Sequence, residues 1–551
     1  MRIFGTPDTF VESSSTDLKL GRLVANFDFL RALLKYGDFD AYHIFCPTQR
    51  HIQLLSDAIQ REIADESVRS RIMLLHHMQL PGMLKSTRYT VFHVGGWYFY
   101  TLRLAYLRSR WSKNPFVLTG IIHSLNTPDI PDKMRDLIEA PMCAGDAIVC
   151  TSQCGKQVMA NYERNAAKVL KSRYNVDAAY KGQWPVIPLA VSDDWLQPQR
   201  TETARTGMGF SKEEVVLLYM GRMSVDKKGD LVPLLYVLRR LNAQSTRTVR
   251  LVLSGGVSPG MLKLLQTSIQ ELNVSQYVLV LPNVSDQVKR NLYAAADIFV
   301  SPIDNLQETF GISVVEAMAA GLPVVASGFD GYRELVVDGV TGFLTPTLWC
   351  PPPEELADLG PVLEPSISQL LIAQNVAVSV QGMEEALLRL IQDPSLRREM
   401  GEQGRNRARE KFTWQVVIRQ YQELWAELAT RLPEHSPESV GDASWADLYE
   451  VFEHYPTHLL SAETTFVLTD VGRSCIQGSL PMPRMYAEMA PFFQSETIRG
   501  VVQLVANGPV TWATIAAHET LGGSMMESTR FHVLWLVKYG LLDWRERSTE
   551  K

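Results

Sequence analysis

Val215-Val-Leu-Leu-Tyr-Met220 runs directly into Gly221-Arg222-Met-Ser-Val-Asp-Lys227-Lys228-Gly229. Such an apolar run reads as a strand. A glycine at its end lets the chain turn tightly and lets a ligand approach the backbone. Arg222 and Lys228 stand where two cations can neutralise a diphosphate, each contact being worth roughly 1.5–3 kcal/mol. Taken alone, the basic residues also fit a solvated loop.

Outward from this point the rhythm repeats. Downstream come a helix over Leu231–Leu241, a strand over Thr248–Leu253 ending at Gly255-Gly256, and a strand over Val278–Leu281. A helix over Ser285–Ala295, a strand over Asp297–Ser301, a helix over Ile312–Ala320 and a strand over Pro323–Ala326 follow. Upstream, Ala41–Cys46, Ile72–His76, Thr90–Val94, Phe116–His123, Ala147–Cys150 and Val186–Pro188 read as strands, while Leu23, Phe27, Leu30 and Leu34 recur at helical spacing. Alternating strands and helices predict an α/β fold with parallel sheets.

The polar stretch Gln197–Ser211 reads as an interdomain linker, and residues 348–380, with Pro351-Pro-Pro353, as an inserted loop. Helices return from Met383 to Ala429, and a break at Pro433–Gly441 precedes a C-terminal segment of helical pattern. Within it, helices over Thr511–Ala517 and Ser528–Leu542 across Gly522-Gly523 have a winged-helix look. Its 8 lysines and arginines against 13 aspartates and glutamates argue against DNA binding and favour a packing or oligomerisation module.

Formal net charge is -6, so no global field favours nucleic acid. Six cysteines without a Cys-x-x-Cys pair fit a reducing compartment. Cys143, Cys150 and Cys154 suggest zinc less well than buried thiols, because Cys150 ends the strand run begun at Asp146. No apolar run is long enough to cross a bilayer, so the cytoplasm is the expected location.

A second motif narrows the chemistry. Glu308-Thr-Phe-Gly311-Ile-Ser-Val-Val-Glu316 places two carboxylates around a loop and helix start, with seven residues between them. The helix N-terminus offers N–H groups to an anion. The carboxylates would repel phosphate, but they accept hydrogen bonds from adjacent sugar hydroxyls.

With these motifs the chain resembles the retaining GT-B glycosyltransferases of the family-4 type. The resemblance covers roughly Thr119 to Trp425 and rests on Tyr219-Met-Gly-Arg222, Lys228-Gly229, Leu253-Ser-Gly-Gly256, the Glu-x7-Glu element and Ala319-Ala-Gly-Leu-Pro-Val-Val-Ala-Ser327. It continues through Gly331-Tyr-Arg-Glu334, Asp338-Gly-Val-Thr-Gly-Phe-Leu344 and Arg405-Asn-Arg-Ala-Arg-Glu-Lys-Phe412-Thr-Trp414. It implies two Rossmann-like domains facing a cleft, 1–197 on the acceptor side and 212–411 on the donor side, with 412–432 crossing back, while the extension over 441–551 lies outside the resemblance.

The resemblance also implies roles. Gly221, Arg222 and Lys228 would serve the donor diphosphate, with Lys227 as the alternative if the register slips by one. Glu316 would hold the ribose, and Glu308 the donor sugar, with the amides of Thr309, Phe310 and Gly311 around it. Asn283 and Val284 fall where the base rests, and His123, in Gly120-Ile-Ile-His-Ser-Leu-Asn126, faces the donor sugar unless it is a core histidine. The implied donor carries UDP or GDP, no metal or other cofactor is expected, and the acceptor is an unidentified hydroxyl.

Two first-domain segments keep two readings each. Gly95-Gly-Trp-Tyr-Phe-Tyr100 is a sugar-stacking platform or a loop into a core helix. Leu102–Lys113, with Arg103, Arg108, Arg110 and Lys113, is a peripheral membrane contact or a solvated helix face. The rival functions are a non-catalytic nucleotide-sugar-binding or regulatory protein and another GT-B enzyme such as an epimerase.

Overall fold

The apolar runs assemble into two six-stranded sheets whose strands all run parallel. The computed structural model describes residues 1–8, 21–196, 202–351, 353–360, 362–434, 447–486, 489, 493–518 and 529–545. In the first sheet, β1 (Ile3–Thr6), β2 (Ala41–Cys46), β3 (Ile72–His76), β4 (Val91–Val94), β5 (Val117–Ile121) and β6 (Ala147–Val149) lie in the order β3-β2-β1-β4-β5-β6. In the second, β7 (Val215–Met220), β8 (Val249–Gly255), β9 (Val278–Pro282), β10 (Ile298–Ser301), β11 (Val324–Ser327) and β12 (Gly342–Thr345) lie in the order β12-β11-β10-β7-β8-β9.

Both are doubly wound Rossmann-like sheets. Strand order reverses between β1 and β4, and again between β7 and β10. In such sheets the ligand crevice opens beyond the carboxyl ends of the strands at the reversal. The topology therefore sets the site: Lys228 leaves β7, Glu308 follows β10, and the two strands are neighbours, Ile298 opposite Leu217. Helix Trp414–Ala429 crosses back to the first lobe, where Trp414, Tyr421 and Trp425 pack with Phe4 and Phe29. Trp425 Nε1 donates to Thr119 Oγ1 at 3.1 Å, and Val191 N–H to the Phe412 carbonyl at 2.9 Å, where the chain passes between lobes.

Several expectations need correction. Val186–Pro188 forms no strand; Val186 makes a single bridge to Cys150, because the prolines at 185 and 188 lack the N–H a ladder needs. Residues 348–380 are not a loop. β13 (Thr347–Trp349) pairs antiparallel with β14 (Val376–Val378), and helices Glu354–Leu359 and Pro365–Ala373 lie between them. Pro365 occupies a helix start, where its missing N–H costs nothing, and Glu364 caps the Ser366 amide at 2.9 Å.

Arg108 is neither at a membrane face nor in solvent. It is fully buried, bidentate to Asp146 at 2.6 and 2.7 Å, with a third bond to the Phe116 carbonyl at 2.8 Å. Gly95-Gly96 leads into helix Trp97–Trp111 with Trp97 wholly buried, which favours the core-helix reading of that segment.

The C-terminal extension joins its helices to a small sheet. β15 (Thr465–Leu468), β16 (Val510–Thr511) and β17 (Leu542–Arg545) form an antiparallel sheet in the order β16-β15-β17. Helices Ser495–Ala506, Trp512–Ala516 and Thr529–Lys538 pack on it around Phe466, Val501, Ile515 and Leu536. Strands this short carry no readable periodicity. The Gly522-Gly523 turn and parts of the linkers at 197–211 and 433–441 lie outside the described residues. Among those described, no helix is long and apolar enough to cross a membrane.

Candidate active site

The turn after β7 is held by its neighbours. Gly221 N–H donates to the Ser254 carbonyl and Met223 N–H to the Gly256 carbonyl, at 2.9 and 2.8 Å. Gly255, at φ +141°, has no alternative, since a Cβ there would stand 2.0 Å from the Gly221 carbonyl oxygen. Tyr219 O–H donates to the Arg222 carbonyl at 2.9 Å, and Lys228 N–H to that of Ser224 at 2.9 Å. The loop thus presents its side chains on a fixed backbone.

Lys228 turns inward and pairs with Glu308. Lys227 points out, 48% exposed, with Asp226 at 3.9 Å. Burial alone would lower the Lys228 pKa, but the Glu308 carboxylate outweighs it and holds the ammonium well above its usual range. Burial likewise raises Glu308, and Lys228 overcomes it, leaving the carboxylate below its ordinary value. Both groups are charged at neutral pH. The Tyr332 ring lies 5.8 Å from the Lys228 nitrogen, and its hydroxyl shares a 3.0 Å hydrogen bond with Ser301 Oγ.

Glu308 also accepts from Phe310 N–H at 3.4 Å. Gly311 then starts helix Ile312–Ala319 at φ +106°, with a Cβ excluded by the Tyr332 ring 2.1 Å away, and no side chain among the described residues caps the helix. An uncapped N-terminus beside Lys228 suits a phosphate. Inside that helix, Glu316 is buried; it accepts from Lys289 Nζ at 2.5 Å and Tyr293 O–H at 2.9 Å. Each of its oxygens keeps a lone pair for an incoming hydroxyl. The sequence reading missed Lys289 and Tyr293, although their four-residue spacing on helix Asp286–Ala295 puts them on one face.

Arg222 lies at the same turn, and no ion pair to its guanidinium occurs among the described residues. Asn283, at φ +52°, donates from its N–H to the Gly255 carbonyl at 3.2 Å, and Val284 packs against the second-lobe core. Asp330, not singled out in the sequence, sits beside Glu308: its Oδ1 accepts from Tyr332 N–H at 3.1 Å, and its Oδ2 is buried with no hydrogen-bond partner among the described residues. Burial and the Glu308 charge hold its carboxyl well above the usual range.

Across the cleft, the reversal in the first sheet gathers Gly95 after β4 and His123 after β5. His123 Nε2–H donates to the Gly95 carbonyl at 2.5 Å, which sets the tautomer, and Asn26 Nδ2 donates to the same oxygen at 3.2 Å. Burial pushes neighbouring His93 down to about 3, with His123 adding to the effect. The excursion over 347–378 reaches this loop: Gln369 Nε2 donates to the Asn126 carbonyl at 2.7 Å, and the Asn126 side chain to that of Gln369.

Two facing Rossmann-like lobes define the GT-B fold. The fold aligns over 78% of this chain and 100% of the other with the sucrose-phosphate synthase of Thermosynechococcus elongatus, at TM-score 0.51 and 18% identity. Anabaena HepE, solved in complex with UDP, aligns over 78% of this chain and 100% of its own, at TM-score 0.50 and 16% identity. Residues 201–358 match the family model described as glycosyl transferases group 1. A D-inositol 3-phosphate glycosyltransferase of Xylanimonas cellulosilytica is 31% identical over 226 residues, which is 39% of this chain and 49% of that protein. The chain thus spans about half the length of the curated relative it matches. The chain therefore has the GT-B fold, and its residues 201–358 resemble the group 1 glycosyl transferases.

Proposed function

We propose that the chain is a retaining glycosyltransferase that moves a sugar from a nucleoside-diphosphate donor to an acceptor hydroxyl held by the first lobe. The observation that carries this reading is the charged Lys228–Glu308 pair at the strand-order reversal of the second sheet, next to an uncapped helix start. Lys228, Arg222 and the amides of Thr309, Phe310 and Gly311 take the diphosphate and stabilise charge on the departing phosphate. Glu316 takes the ribose hydroxyls, Asn283 and Val284 flank the base, and Glu308 takes a donor-sugar hydroxyl. His123 faces that sugar from the first lobe. The barrier falls through leaving-group stabilisation and positioning of the acceptor on the departing face, with no metal ion assigned a part.

The UDP bound by HepE makes a uridine donor the first to try. A thermal-shift screen with UDP, GDP and ADP tests the reading: a nucleotide at a hundred times its dissociation constant adds about 2.7 kcal/mol. Hydrolysis of the matching sugar nucleotide then separates an enzyme from a binding scaffold, and NMR of the released sugar's anomeric proton reads the stereochemistry. No shift with any of the three nucleotides would sink the proposal.

A further inference from the structure

Helix Gln153–Tyr174 of the first lobe begins against the second lobe. Glu334 accepts from Gln153 N–H on Oε2 and from Cys154 N–H on Oε1, both at 2.8 Å. Ser152, the cap of that helix, accepts from Gly155 N–H at 2.9 Å and donates to the Thr309 carbonyl at 2.7 Å. A helix start favours a carboxylate because its first amides lack partners and its dipole is positive there. Here the carboxylate comes from the opposite lobe, 181 residues away along the chain.

Glu334 is also joined to the Lys228–Glu308 pair. It lies in the short helix Tyr332–Leu335, whose Tyr332 ring stands by the Lys228 nitrogen and closes the space above Gly311. Gly331 presses on the loop after Glu308, since a Cβ there would fall 2.6 Å from the Thr309 carbonyl oxygen. Arg407 fixes the same helix from behind through the Glu334 and Leu335 carbonyls, at 2.7 and 2.9 Å. One four-residue helix thus touches the first lobe with one side chain and the charged pair with another.

We propose that Glu334 is a positioning residue that clamps the first lobe onto the second and so sets the Lys228–Glu308 pair opposite His123. It acts through Tyr332 and Thr309 and does not touch the donor. The proposal rests on the glycosyltransferase reading above.

Glu334→Ala and Glu334→Gln test it by three measurements: small-angle scattering of the unliganded protein, UDP affinity by calorimetry, and turnover of UDP-glucose. Lys228, Glu308 and Glu316 all belong to the second lobe, so UDP affinity should stay within threefold. Turnover should fall at least tenfold in Glu334→Ala and less in Glu334→Gln, which keeps one acceptor oxygen. The radius of gyration should rise. Turnover within twofold of wild type at unchanged radius overturns the clamp, as does a parallel loss of UDP affinity and thermal stability.

If Glu334→Ala does not fold, Ser152→Ala removes the Thr309 contact from the other side. It should lower turnover severalfold with UDP affinity kept, and unchanged turnover overturns the proposal. If the wild-type protein neither binds UDP nor turns over UDP-glucose, the scattering arm decides the clamp alone: a larger radius in Glu334→Ala supports it, and equal radii reject it.

Discussion

Arg108 with Asp146 in the first lobe, and Lys228 with Glu308 in the second, each join a cation to a carboxylate near a strand end. Around Asp146 everything is closed: both members are fully buried, and the carboxylate also accepts from Leu118 N–H at 3.2 Å and Cys143 N–H at 2.8 Å. Glu308 and Lys228 keep 17% and 15% of their side chains exposed. A carboxylate saturated by its own chain can only hold strands together. One with exposed lone pairs and a single cation can trade part of that contact for a ligand. Arg205 and Asp297 repeat the closed type in the second lobe, bonded at 2.7 Å with Val216 N–H also donating to Asp297. Asp304 is a third case, a buried carboxyl with no cation paired to it among the described residues, and burial pushes it up to about 7.

Removing one partner of each type should separate the roles. Arg108→Ala strands a buried charge and should cost about 3–5 kcal/mol, read as a lowered denaturant midpoint. A loss under about 1 kcal/mol would make the closed pair no more than a surface contact. Lys228→Ala should instead cut turnover at least a hundredfold, about 2.7 kcal/mol, while the far-ultraviolet circular dichroism is kept. Near-normal turnover would move the open pair into the structural class.

The smallest effect belongs to Asp304. Its folded pKa lies above the unfolded value, so the folded state holds a proton that the unfolded state has lost. Stability from this site is complete below about pH 4 and is lost as pH rises through about 7. Asp304→Asn should therefore gain stability relative to wild type at pH 8 and gain less at pH 5, in paired denaturant titrations. An equal difference at the two pH values would mean that Asp304 ionises as it does in water.

Much of this architecture was legible from local pattern. Val215–Met220 reads as a strand because its neighbours in sequence are its neighbours in the strand. Gly255 and Gly311 read as strand-end and loop glycines for the same reason. The Glu-x7-Glu spacing likewise marked a loop and a helix face within a few residues. Patterns failed where a side chain's environment came from elsewhere: Arg108 resembled a surface arginine until Asp146 enclosed it, and the prolines near 351 hid the β13–β14 pairing.

The linear chain was enough to predict two alternating α/β units, because strand burial, helix spacing and glycine turns are short-range properties. Folding alone decided that Lys228 and not Lys227 meets Glu308, that Lys289 and Tyr293 hold Glu316, and that Glu334 reaches the first lobe. Those pairings join residues 80, 27, 23 and 181 positions apart. At such separations contact is set by sheet order and lobe packing, which no window of neighbouring residues encodes.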